Sequence, residues 1–581
     1  MTNEKHGFDR RKFLGLTGAG GLGLLAGCGG QNTADDVTTT AAPTSETTTS
    51  GSGGGSDTTE TTSASNSKMG GTFVGTTSED APTLDPRMNE LAWANSFLHY
   101  IFDTLTAVSP DGSKIVPHLA KDEPKQVDDT TFDFTLRQGV TFHNGTEMTA
   151  EDVAYSFNWV LNPDNPSPNR AALSFIDNVE AKSDYVARFN LKYPFALFKL
   201  TLAGMNAPVV PKGAAEEMGH EEFGSNPIGT GPFQFVEHKS ASHVLLKRNP
   251  DYFVEAPNVE QYRMRIIPKP QVQFVELATG GVHEAGVPKN LTEKAKSEDN
   301  IKTTLVSELD YNGLIFNAKR EPFDKLKVRK AMQYLVDYDE MLRVTKGDLG
   351  HRIYGFMPKS VSEGWGFPWE DWQSKYYPEK DHEKAKQLLE EAGYGDGFGK
   401  KLHMSSLASA QFKNMATVLQ NELKQVGIES EVQEVTIGQW LDDLDTGEFD
   451  VTIYGWGGGQ DPDGYFYYLF RDLRNDEGGM SEDVAGNASA SFLYQNDELS
   501  AQTKADVDAK IRKARKLQDR GERKQLYTEL AEFWQSQYPH IPVYSEQSMV
   551  AWSKDVKDYK PTSFLNQPLI NEWNNAYLAD K

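Results

Sequence analysis

Cysteine is nearly missing: a single residue, Cys28, in a chain of 581. That excludes internal disulfides, a thiolate zinc site and a thiol nucleophile in the body, which must be held together by burial alone. Catalytic signatures are missing as well. There is no His-Glu-x-x-His, no Gly-x-Ser-x-Gly and no Gly-x-x-x-x-Gly-Lys, and His382-Glu383 has no second histidine four residues on. The pair Asp442-Asp443 reads as a solvated helix face rather than as a glycosidase pair. Positive charge is in deficit, with 59 Lys+Arg against 84 Asp+Glu and a formal net of −25. Such a surface repels nucleic acid and anionic headgroups. Dense carboxylate suits concentrated salt, where screening removes self-repulsion, so an acidic, salt-adapted prokaryotic proteome is the expected source.

What is there begins with an address. Arg10-Arg11-Lys12-Phe13-Leu14 precedes an uncharged run of small and apolar residues, Gly15 to Leu24, and then Leu25-Ala26-Gly27-Cys28. Basic pair, apolar core and small residues at a cut site form a secretory signal, and the twin arginine points to export of a folded chain. The run is too short to span a bilayer. The tetrapeptide resembles a bacterial-type lipobox, which implies that the Cys28 thiol carries a lipid at the start of the mature protein. Behind it, Thr-, Ser- and Gly-rich sequence through residue 69 has almost nothing to bury and reads as a tether, spanning about 35 Å as a random coil.

The roughly 510 residues that follow exceed what one core supports, so two or more lobes are expected. They hold most of the 10 Trp, 23 Tyr and 30 Phe; the majority fill core and the remainder are candidates to line a ligand cleft. Thr149-Ala150-Glu151-Asp152 is a helix start of capping-box type, followed by Val153, Phe157, Val160 and Leu161 on one face and a stop at Asn162-Pro163. The second half alternates helical stripes with strands. The stripes are Val328/Ala331/Met332/Leu335/Val336, Ala385/Leu388/Leu389/Ala392, Phe412/Met415/Leu419/Leu423 and Trp440/Leu441/Leu444, and the strands are Ile428–Val435 and Phe449–Tyr454. That alternation predicts an α/β lobe.

Directly after the last strand stands Gly455-Trp456-Gly457-Gly458-Gly459-Gln460-Asp461-Pro462-Asp463. Ligands of open α/β sheets bind beyond the carboxyl ends of strands. Glycines there let the backbone approach a ligand, and Trp456 offers a flat stacking face. Asp461 and Asp463 are candidate hydrogen-bond acceptors. The alternative is a turn with its tryptophan folded inward.

Leu136-Arg137-Gln138-Gly139-Val140-Thr141-Phe142-His143-Asn144-Gly145-Thr146, running into Thr149 to Phe157, resembles the signature of the large extracytoplasmic solute-binding proteins of family 5. These are peptide/nickel/oligosaccharide-type receptors of ABC importers. Thr83-Leu84-Asp85-Pro86, Pro227-Ile228-Gly229-Thr230-Gly231-Pro232-Phe233, Arg248-Asn249-Pro250-Asp251-Tyr252-Phe253 and Ala385 to Tyr394 extend the likeness over residues 70 to 560. The resemblance implies a two-lobe periplasmic-binding-protein-like α/β fold, type II, with an extra subdomain in lobe I. The expected division is a signal at 1–27, anchor and tether at 28–69, lobe I core at 70–114, 227–315 and 541–581, the subdomain at 115–226, and lobe II at 316–540.

It also implies capture of a peptide-like or oligosaccharide-like solute by hinge closure, delivery to a membrane permease with its ATPase, and no catalysis, cofactor or metal. The protein is then a monomer, extracytoplasmic and held to the membrane by lipid alone. Trp456, Gly457, Gly458 and Asp461 are the expected ligand-binding residues, with Glu90, Ala92 and Trp93 on the opposite wall. Where peptide-binding members carry an aspartate for the peptide amine, counting from Trp456, this chain has Gly459. No histidine follows the tryptophan loop, which speaks against nickel. A secreted hydrolase acting on peptides or glycans, or a surface sensor of the same fold, are the rival readings.

Overall fold

The computed structural model describes residues 69–89, 91–109, 114–472, 491–561, 570–571 and 574–579. Cys28 and the tether through residue 68 lie outside them. Buried apolar residues fall into four separate clusters. One cluster packs a four-stranded sheet in which Thr72–Thr77 runs parallel to Gln261–Ile266, followed by His243–Arg248 and Phe233–Lys239. A second fills an antiparallel sheet, in the order Lys125–Gln126, Thr131–Thr135, Val186–Leu191 and Ile176–Ser183, covered by the helix Ala150–Leu161. That helix starts where its sequence directs: the Thr149 N–H donates to Asp152 Oδ2 at 2.8 Å, and Val153, Phe157 and Val160 are buried.

The largest cluster belongs to the second half of the chain, and the helical stripes match it closely. Leu326–Leu335, His382–Glu391, Ala410–Gln425 and Ile437–Thr446 are helices. The Asp381 carboxylate caps the second, and Gly447, in a left-handed conformation, ends the fourth. The first two pack against each other, and the apolar faces of the third and fourth cover the parallel strands Leu402–Leu407, Ser430–Val435 and Val451–Gly457. One expectation is corrected here. Asp443 is not solvated: it is 6% exposed and accepts hydrogen bonds from Ser405 Oγ at 3.0 Å and Gln439 Nε2 at 2.9 Å. Only Asp442 of that pair faces solvent.

The sheet continues antiparallel from Val451–Gly457 through Asp310–Phe316 to the long strand His540–Ser553. This last strand is shared. Residues 540–546 pair with Asp310–Phe316 and Gly350–Arg352, whereas 547–553 pair with Ile301–Ser307. Gly313 is needed at the junction, since a Cβ there would lie 2.4 Å from the Ile541 carbonyl oxygen. The boundaries expected at 315/316 and 540/541 each lie one residue inside a paired strand, Asp310–Phe316 and His540–Ser553, whereas the long strand changes partners between residues 546 and 547. Among the described residues no helix is long and apolar enough to cross a membrane.

Candidate functional site

The strand Val451–Thr452–Ile453–Tyr454 does not stop before the glycines. Hydrogen bonding to Asp310–Asn312 carries it through Gly455, Trp456 and Gly457, with Gly455 opposite Asn312 and Gly457 opposite Asp310. Trp456 is therefore held by the sheet edge and not by a free turn. Its indole N–H donates to the Gly464 carbonyl at 2.9 Å, its ring lies 6.2 Å from that of Tyr468, and it stays half-buried.

The glycines are demanded by close packing. A Cβ on Gly455 would sit 2.6 Å from Asn312 Oδ1, on Gly458 2.7 Å from the Tyr465 ring, and on Gly464 1.7 Å from the Gly458 carbonyl oxygen. Gly458 donates its N–H to the Leu309 carbonyl at 3.2 Å, and Tyr465 Oη donates to Leu309 O at 2.7 Å. The loop is folded back on the strand junction, with its indole edge pinned.

Two buried ion pairs fasten the loop from below. Asp461, expected to meet ligand, instead accepts from both terminal nitrogens of Arg523, at 2.5 and 2.9 Å, and from the Asp463 N–H at 2.9 Å. Asp463 takes Arg515 Nη1 at 2.5 Å and the Tyr527 hydroxyl at 3.2 Å. Burial pushes the Asp463 carboxyl up despite Arg515; burial also lowers both guanidinium values, but Asp461 raises that of Arg523 and Asp463 raises that of Arg515, and each ends above its ordinary value. Both arginines were missed in the sequence. The available signal was a basic residue inside an apolar stripe, as in Arg523 with Tyr527, Leu530 and Trp534.

A further polar group, where the long strand changes partners, was also invisible beforehand. Asp310 accepts from the Glu546 N–H at 3.1 Å and Asn312 Nδ2 at 2.8 Å, Gln411 Nε2 reaches Glu546 Oε1 at 2.9 Å, and Lys346 pairs with Glu546. Burial, then the Glu546 charge, pushes the Asp310 carboxyl up to about 7. Glu308 is raised by burial as well. Among the described residues no group of three His, Cys, Asp or Glu could hold a metal ion.

Of the expected opposite wall, Glu90 lies outside the described residues, while Ala92 opens the helix Ala92–Leu98 and Trp93 follows it. The segment just before is anchored: Asn89 Oδ1 accepts from the Leu91 N–H at 3.3 Å, and Asn169 Nδ2 donates to the Asn89 carbonyl at 3.2 Å.

Residues 114–477 match the family model described as bacterial extracellular solute-binding proteins, family 5 Middle. The chain is 26% identical over 490 residues to di/tripeptide-binding protein 2 of Pseudomonas aeruginosa, covering 80% of this chain and 87% of the relative. It is 26% identical over 528 residues to heme-binding protein A of Haemophilus influenzae, covering 86% and 92%. In three dimensions it is similar to the periplasmic binding protein DppA of Helicobacter pylori in complex with a peptide. That match has a TM-score of 0.65 and 25% identity, over 88% of this chain and 99% of the other.

Proposed function

The chain belongs to the bacterial extracellular solute-binding proteins of family 5, and from that premise we propose that it is the lipid-anchored receptor of an ABC importer, closing two lobes on a peptide-like solute. Relatives that bind di- and tripeptides, and a neighbour solved with a peptide, support that solute class. The heme-binding relative shows how far ligands diverge on this scaffold. The observation that carries the reading is the half-buried Trp456, pinned through its N–H so that its ring is presented at the end of a sheet strand.

Trp456 supplies a stacking face, and Gly457 backs it. Gly458 and Asp461 act differently from a direct contact. The Gly458 N–H is committed to Leu309, and Asp461 to Arg523, so both set the shape of the loop that meets the solute. With Gly459 in place of a carboxylate, this loop offers a peptide amine no free anion. Recognition of an amine then falls to other walls of the cleft, among them the Glu90–Trp93 segment. No bond is made or broken; affinity comes from the closed state being stabilised by bound solute. Cys28 carries the lipid, and the tether lets the clamp turn beside the permease.

A thermal-shift screen against di- to pentapeptides and oligosaccharides tests the solute class, because a ligand at 100 times its Kd stabilises the folded form by about 2.7 kcal/mol. Trp456→Ala should then weaken the confirmed solute by about tenfold or more in calorimetric titration. An unchanged Kd would remove Trp456 from the site.

A further inference from the structure

The subdomain and lobe II touch directly beside the residues that hold the tryptophan: the Arg515 guanidinium lies 5.7 Å from the Tyr468 ring. The segment Tyr193-Pro194-Phe195-Ala196 of the subdomain meets the last turn of the helix Ala501–Lys516. The Ala196 N–H donates to the Arg515 carbonyl at 2.8 Å, one of the carbonyls that a helix end leaves without an internal partner. Gln518 Nε2 donates to the Phe195 carbonyl at 3.1 Å. The Arg515 guanidinium lies 4.8 Å from the centre of the Phe195 ring and 3.8 Å from that of Tyr467, while its Nη1 holds Asp463. Its Nε is buried with no hydrogen-bond partner.

We infer that Arg515 is a positioning residue that couples the solute-binding loop to lobe closure, the closed state being held by a latch made of Phe195, Ala196, Arg515 and Gln518. One guanidinium serves both ends. Toward its own lobe it fixes Asp463, the first residue after the loop's Pro462, and toward the other lobe it stacks on Phe195. Opening the cleft would break two hydrogen bonds and the stack together, and wet a guanidinium that is 9% exposed with this contact made. A loop displaced at Asp463 moves the guanidinium off Phe195, so loop geometry and closure rise and fall together. The inference rests on the two-lobe clamp reading but not on the identity of the solute.

The test needs no solute. With Cys28→Ser, the chain has no thiol, so Lys125→Cys and Glu370→Cys, both exposed and on opposite sides of the contact, carry a fluorophore pair for single-molecule distance measurements. Gln518→Ala, an exposed residue outside the loop, should shift the closed-to-open ratio toward open by about three- to tenfold, as expected for one lost hydrogen bond. Arg515→Lys keeps the charge toward Asp463 but loses the planar stack, and should shift it at least as far. The urea midpoint of Gln518→Ala should fall by no more than that change in ratio accounts for, which separates a latch from a contact that holds the fold itself. Distance distributions identical to the parent in Gln518→Ala and Phe195→Ala would overturn the inference, including where Arg515→Lys fails to fold.

Discussion

Asp461→Asn separates two roles that a carboxylate beside a binding loop can have. The Asp461 and Arg523 side chains are 12% and 7% exposed, and they form a two-pronged pair. Asparagine keeps the shape and the oxygen that accepts the Asp463 N–H, but it turns an amide donor toward a guanidinium that remains charged. Breaking a buried pair by removing one partner costs about 3–5 kcal/mol. Arg523 retains Asp463 as a nearby charge and donates through Nε to the Ala514 carbonyl at 3.1 Å, so the lower end, about 3 kcal/mol, applies. In a unit of roughly 200 residues that corresponds to a fall in Tm of about 6–12 °C. Calorimetry and urea titration measure it without any solute. Adding Arg523→Met should restore more than half of the loss, because the uncompensated charge is gone. A loss below about 1 kcal/mol in Asp461→Asn, combined with a weaker solute Kd, would refute the argument: the partner of that carboxylate would then be the ligand.

Asp310 gives the protein a specific pH dependence. Its folded value of about 7 lies above the ordinary 3.8, so from about pH 4 to pH 7 the folded chain keeps a proton that the unfolded chain has released. This group's contribution to stability therefore falls as pH rises and is fully lost above about pH 7, by a few kcal/mol; denaturation from pH 4 to 8 should show Asp310→Asn gaining on the parent, and a constant difference would sink the assignment. Gly464→Ala, whose Cβ would lie 1.7 Å from the Gly458 oxygen, should displace the loop and weaken solute binding together with the Trp456 fluorescence signature; an unchanged Kd would show that the loop absorbs the methyl group. Cys28→Ser should release the protein into the medium with solute affinity intact, as cell fractionation would show, whereas loss of binding would mean that the cysteine is more than an anchor.

Local pattern was enough for much of this molecule. The stripe Val328, Ala331, Met332, Leu335 is a helix face because residues three and four apart share one side, and all four are fully buried. The capping box at Thr149 and the left-handed glycine at Gly447 mark helix ends for reasons contained within four residues of sequence. The position of Trp456 at a strand's carboxyl end was readable in the same way.

Partner choice was not. Trp456 belongs to the strand and not the turn because Asp310–Asn312, about 145 residues earlier, continues the ladder past the last branched residue. Asp461 looked available because its pair, Arg523, stands 62 residues away on the helix Arg520–Gln537, and Asp443 looked solvated because Ser405, 38 residues earlier, lies on the strand that its helix packs against. Asp310 is an ordinary acid until the long strand returns Glu546 beside it in a space that water has left. Hydrophobic period depends on neighbours along the chain, so sequence settles which face is buried and where an element starts. Charge, by contrast, is governed by desolvation and by the nearest opposite or like group, and both are set by segments that meet only when the two lobes have folded.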